Sequence, residues 1–280
     1  MRTIFYRILG NDIPVRHRPA QTLTNLSFIL KHEPELPGCE KRFLLNHIVD
    51  PQTKNRLIAM IRDAGLSWED IPFVVDDYRK LTGPAERALY LTNQNAARNR
   101  CIRQGLADGN AVMPFDGQVF FREEGYSAMI AGLNTDSAGK YLVVPMFRLR
   151  ENPHALLPWR YPDEEVDYLL WAEPQIVVRR GHDLTFNESL GYGNANKVEL
   201  LMRLGIKGPW DGWERDLFRN IRANLTATQS QSFGRVREAG FVFRLASGNW
   251  KAERSTSYRV QARKMGLEEF IAQVDRTHLR

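Results

Sequence analysis

Apolar and polar positions alternate along this chain in two rhythms. Mainly apolar runs at 3–9 (TIFYRIL), 42–49 (RFLLNHIV), 71–75 (IPFVV) and 111–115 (AVMPF) have the length and composition of strands buried on both faces. Between them, QTLTNLSFILKH (21–32) and PQTKNRLIAMIRDAG (51–65) place apolar residues at helical spacing. The second has Pro in its first turn and Gly just past its end. TNQNAARNRCIRQGLADG (92–109) sets Ala96, Ala97, Cys101, Ile102 and Leu106 on one side, EEGYSAMIAGL (123–133) predicts a further helix, and KYLVVPMFRL (140–149) a further strand. Strands separated by helices in this way predict an α/β fold built on a mostly parallel sheet, with helices on both faces.

Beyond residue 150 the rhythm loosens. Residues 150–172 are proline-rich and read as a long loop, followed by a strand in EPQIVVRR (173–180), a helix in NKVELLMRLG (196–205), a helix in WERDLFRNIRANL (213–225) and a last strand in FVFRLASG (241–248). The polar, amphipathic stretch from 255 predicts a C-terminal helical extension, so the expected organisation is one domain over 1–250 with a helical tail over 251–280.

Composition narrows the classes. At 43% hydrophobic, 280 residues can bury a full core, yet charges or prolines cut every apolar run well short of the roughly 18 to 20 residues needed to span a bilayer. The N-terminus has no small-residue cleavage site and reads as a first strand, so a cytoplasmic location is expected, with peripheral contact at the inner membrane surface left open. Cys39 and Cys101 are far apart with no metal-ligand spacing and read as ordinary thiols. A net charge of +6 favours anionic partners, but basic residues come singly or in pairs, which argues against nucleic acid as a partner.

In open α/β sheets, ligands bind at the carboxyl ends of the strands. Those ends carry Leu9, Gly10, Asn11 and Asp12, then Asn46, then Asp116 and Gln118, and then the run FRLREN. No GxGxxG follows the first strand, and neither a P-loop nor a GxSxG elbow occurs. Asp116-Gly117-Gln118 suits a hard divalent cation that takes its other ligands from substrate phosphates, with Gly117 letting the backbone pass close to a diphosphate. It equally suits an Asp-Gly turn closing a hairpin. His17 and His47 lie near strand ends, and Trp159, Trp171, Trp210 and Trp213 read either as sugar-stacking platforms or as core.

The segment NQNAARNRCIRQGLADGNAVMPFDGQVFF (93–121) resembles the central region of GT-A-type, family-2-like glycosyltransferases that use nucleotide sugars. The resemblance extends more loosely over 1 to about 205, and implies a GT-A (Rossmann-like) fold. By it, Arg98 and Asn99 sit beside the nucleotide, and Asp116 is the first acid of the DxD motif that holds a diphosphate through Mn2+ or Mg2+. Gln118 stands in the second acid's place. FNESLGYGNANKVELLMRLG (186–205) resembles the family's later signature: Asn187 and Glu188 match its first part, while Asn196 and Lys197 fall where an acidic pair belongs. The base must then come from Glu173, Glu188, Glu199 or Asp211, with Glu173 placed first. Arg16, Arg98, Arg179 or Lys197 would share the charge of the diphosphate, and His182 is a candidate late metal ligand. The implied activity is sugar transfer from a nucleotide-sugar donor to a saccharide or lipid-linked hydroxyl acceptor, in surface polysaccharide or glycoconjugate synthesis. A degenerate module that binds without turnover is the alternative, ahead of a nucleotidyltransferase.

Overall fold

A computed structural model describes residues 2–135, 139–158, 169–193, 196–206, 236–251 and 256–279. The α/β class expected from the sequence is the one observed. Four strands, β1 (Thr3–Leu9), β2 (Cys39–Asn46), β3 (Ser67–Ile71) and β4 (Ala111–Asp116), run parallel in the order β3-β2-β1-β4. Every residue of β1 is buried, because it lies between β2 and β4 and is covered on both faces. On one face Ile4, Tyr6 and Ile8 pack with Val112 against Ala97 and Cys101 of α5 (Gln94–Asp108). On the other, Phe5 packs with Met113, Phe115 and Phe121 against Met129 of α6 (Glu123–Leu133).

The sheet continues through β7 (Leu169–Arg179), which is antiparallel to both β4 and β6 (Tyr141–Leu149). β8 (Val236–Glu238) and β9 (Val242–Arg244) lie parallel to β6, and β5 (Val119–Phe120) closes the far edge by pairing with β9. Parallel pairings therefore outnumber antiparallel ones among the described strands. β5 does not pair with β4, so Asp116-Gly117 does not close a hairpin between them.

Helices α1 (Gln21–His32) and α2 (Pro51–Asp63) fall where the spacing predicted, and Asp50 caps α2 by accepting from Thr53 N at 2.8 Å. The third strand is a correction. It is SWEDI (67–71) rather than 71–75, since an edge strand with half-exposed faces needs no apolar run. The apolar residues that follow serve another purpose: Phe73 packs beside Tyr78 of a short helix α3 (Val75–Arg79) and Tyr90 of α4 (Pro84–Thr92).

The long helix α8 (Thr256–His278) packs into this same corner, where Phe270, Ile271 and Val274 join Ile13, Tyr78 and Leu91 in one core cluster. Tyr78 Oη donates to Asp275 at 2.7 Å, and Arg87 pairs with that carboxylate at 2.8 Å. Gly266 lies so close to the β1–α1 loop that a Cβ there would sit 2.1 Å from the Pro14 carbonyl oxygen. Among the described residues no helix is long and apolar enough to cross a membrane. The helix expected at 213–225 lies outside the described residues, as do Trp159, Trp210, Asp211 and Trp213.

Candidate functional site

The carboxyl ends of β1, β2 and β4 open into a cleft of about 1050 Å3, counting the solvent at its mouth. Leu9, Gly10 and Asn11 leave β1 along its floor, Asn46 ends β2, and Asp116, Gly117 and Gln118 leave β4. Glu173 of β7, Arg148 of β6, Arg244 of β9, Lys197 at the start of α7 (Asn196–Arg203) and Arg263 of α8 form the opposite wall. Gly117 has a packing role: a Cβ there would lie 2.6 Å from the Ile8 carbonyl oxygen, so the turn after Asp116 is pressed against the end of β1. That occupied space accounts for a glycine at this position.

Asp116 is the centre of the cleft. Its Oδ1 takes Arg98 Nη2 at 2.5 Å, and its Oδ2 takes Lys197 Nζ at 3.0 Å and, more distantly, Gln175 Nε2 at 3.4 Å. Burial alone would raise its pKa, but Lys197, Arg98 and Arg244 together hold the carboxyl well below the usual range, so Asp116 is an anion. Lys197 is only 4% exposed. Burial pushes its ammonium down to about 8, against the pull of Asp116. Arg98, 2% exposed, is fixed from behind by Asn95 Oδ1 at 2.7 Å, and its own Nε is buried without an acceptor.

Among the described residues, charge in the cleft is unbalanced: Arg16, Arg98, Arg148, Lys197, Arg244 and Arg263 face it, with two carboxylates, Asp116 and Glu173. Arg148 and Arg244 are register partners on the parallel strands β6 and β9, preceded by the partnered pair Phe147 and Phe243. Two like charges abreast on neighbouring strands repel, and here both point into the same half-enclosed space. Glu173 is deprotonated: burial would raise it, but Lys197, Arg263 and Arg148 lower it.

Several sequence candidates do not line the cleft. Asn99 is buried behind it, donating to the Phe186 carbonyl and to Glu188 Oε1, each at 2.8 Å, and accepting from Phe186 N. Asn99 and Glu188 thus staple α5 to the loop before α7. Asp12 accepts from Thr22 N and Oγ1 at 3.0 and 2.6 Å, tying down the start of α1. Asn11 bridges the β1 and β2 loops through the His47 carbonyl and Val49 N, while still facing the cleft. His47 stacks on Tyr90, and burial lowers its pKa. His17 lines the cleft with its Nδ1 accepting from Ile13 N. His182 lies beyond the end of β7 with Nδ1 against the Leu184 carbonyl, and Arg179 pairs in register with Ala111, so both sit at the opposite end of β4 from Asp116. Glu199 is held by Arg203 at 2.6 Å.

The donor set around Asp116 does not fit a divalent cation. Both carboxylate oxygens already accept from cations, the Gln118 carbonyl accepts from Arg244 Nε at 3.1 Å, and His182 is elsewhere. Among the described residues no three His, Cys, Asp or Glu side chains are grouped as a metal site. Hard divalent ions require several oxygen donors, and fixed ammonium and guanidinium groups in the same shell repel them.

Sequence reading missed Arg244 and Arg263, and reached Arg148 only within the run FRLREN. One signal was available: the triplet Phe-Arg-Leu occurs at 147–149 and again at 243–245, each time placing a charge inside an apolar strand.

No protein-family model matches this chain, and no curated protein matches it in sequence. Among solved structures, it is similar to S. aureus TarS 1–349 in complex with UDP, at 15% identity and a TM-score of 0.42, over 72% of this chain and 54% of that one. It is also similar to S. aureus TarS at 10% and 0.42, over 90% of this chain and 38% of that one. For TarS 1–349 without that description of UDP, the values are 16% and 0.40, over 71% and 53%. The chain thus spans about half, or less, of the TarS chains it resembles.

Proposed function

We propose that this chain is a glycosyltransferase that moves a sugar from a nucleoside-diphosphate donor to a hydroxyl acceptor. The observation that carries the reading is the excess, among the described residues, of cations over carboxylates in a cleft at the carboxyl ends of β1 and β4. A leaving diphosphate gains negative charge as its bond to the sugar breaks, and preorganised cations in a partly enclosed site stabilise that charge.

In this reading the acceptor oxygen bonds to the anomeric carbon while the bond from that carbon to the phosphate oxygen breaks, its electron pair leaving with the diphosphate. Glu173 takes the hydroxyl proton. It is the cleft carboxylate with work left to do, because Asp116 is committed to Arg98 and Lys197. Donor binding would strengthen it as a base. A diphosphate beside Lys197, Arg148 and Arg263 offsets the same charges that lower Glu173 in the empty cleft. A saccharide or lipid-linked acceptor, and a place in surface polysaccharide or glycoconjugate assembly, belong to the same proposal and accord with the net charge of +6.

The test is release of nucleotide from UDP-, GDP- and CMP-sugars, with and without saccharide acceptors. A diphosphate donor should be turned over, and a CMP-sugar, with its single phosphate, should not. One observation favours a second reading: with Asp116 fully ion-paired and Gln118 bonded to Arg244, the site could serve as a binding module. Thermal stabilisation by a UDP- or GDP-sugar without any turnover would select that reading, and no response to either would end both.

A further inference from the structure

We propose that the donor diphosphate is held in this cleft without a divalent metal, its charge met by Lys197 Nζ and by the paired guanidinium groups of Arg148 and Arg244. The inference rests on the diphosphate-donor reading above and specifies its chemistry.

The first argument is the occupancy of Asp116. A carboxylate acts as a metal ligand through lone pairs, and here Arg98 Nη2 and Lys197 Nζ approach its two oxygens at 2.5 and 3.0 Å. Lys197 is positioned from two sides, since its Nζ also reaches the Glu173 carbonyl oxygen at 3.5 Å. An ammonium that is 4% exposed and aimed at the cleft centre already supplies a fixed positive charge at the strand end.

The second argument is independent of Asp116. Arg148 and Arg244 are brought abreast by the register of β6 and β9, and both face the cleft. Guanidinium groups bind phosphate oxygens through paired N–H donors, and two side by side match the two phosphates of a diphosphate better than they match one anion. Gln118, which would be the second metal ligand by resemblance, spends its carbonyl on one of these arginines. The residue that departs from the acidic motif therefore orients a phosphate-binding group.

Isothermal titration of the full chain with UDP, GDP and inorganic pyrophosphate tests this, first in EDTA and then with Mn2+ or Mg2+ added. Affinity in EDTA should match that in metal to within about twofold, and Lys197→Met should weaken binding in EDTA by about tenfold or more, with Lys197→Arg restoring most of it. Circular dichroism of both variants separates loss of fold from loss of charge, and Arg244→Gln gives a second readout if Lys197→Met does not fold. Binding that appears only with metal, or that is indifferent to Lys197 and Arg244 alike, overturns the inference and leaves the transferase reading standing. Absence of binding by all three probes in both conditions overturns the transferase reading itself.

Discussion

Arginines gather at both ends of β4, but their surroundings differ. At the Ala111 end, Arg180 donates to the Leu106 and Gly109 carbonyls at 2.7 and 3.1 Å, Arg179 to the Gly139 carbonyl at 3.2 Å, and Arg42 pairs with Asp108 at 2.6 Å. Each is met there by an acceptor of the protein's own, close to solvent. At the Asp116 end, among the described residues, six cations and two carboxylates line one cleft, where Tyr192 and Gln118 also accept from Arg16 and Arg244. Burying like charges together costs stability. On the proposal above, the cations gathered at the Asp116 end are the ones that meet a diphosphate.

The largest way to sharpen this contrast acts on chemistry. Glu173→Gln keeps the shape of the wall and removes the base, so sugar transfer should fall by roughly 10²- to 10⁴-fold while pyrophosphate binding, followed by titration, is retained. Next in size, Asp116→Ala leaves Arg98 and Lys197 without their shared counter-charge and should destabilise the fold by about 3–5 kcal/mol in chemical denaturation. Pyrophosphate should then raise the melting temperature of that variant more than that of the parent chain. An equal rise in both would mean that the anion does not meet those cations.

A smaller effect follows from pH. Burial among Asp116, Glu173 and Arg98 brings the Lys197 ammonium down to about 8, below the ordinary lysine value. The protonated form is the one that attracts a diphosphate, so affinity should be full below that pH and decline as the pH rises through it, while Lys197→Arg should flatten the curve. The smallest expected effect lies at the other end of the strand. Arg180→Ala should leave diphosphate affinity unchanged to within about twofold, since coupling between distant sites is usually slight. A large loss there would erase the distinction between the two ends.

Much of the scaffold can be read in the sequence because burial on both faces writes itself as apolar runs. β1, β2 and β4, the helices α1 and α2, and the emergence of Asp116 at a strand end are visible in this way. β3 is not, because its half-exposed edge leaves SWEDI without an apolar signature, and the nearby IPFVV run answers to the α3–α4 corner instead. Lys197 draws attention as an ill-suited cation in a helix's first turn, and the structure supplies its partner in Asp116, 81 positions earlier. Strand pairing is hidden from a linear reading, so the repeated FRL triplet marks Arg148 and Arg244 as unusual without announcing that they will stand side by side. Arg263 is hidden for a similar reason, since α8 is carried to the cleft by its packing on Ile13 and Leu91.

The close seating of Gly266 on the Pro14 carbonyl has a consequence for biosynthesis. Pro14 stays without this neighbour while the more than two hundred residues between it and Gly266 are threaded out of the ribosome. A nascent chain can therefore assemble the β1–β4 platform before α8 exists, and the cleft acquires Arg263 only when α8 docks.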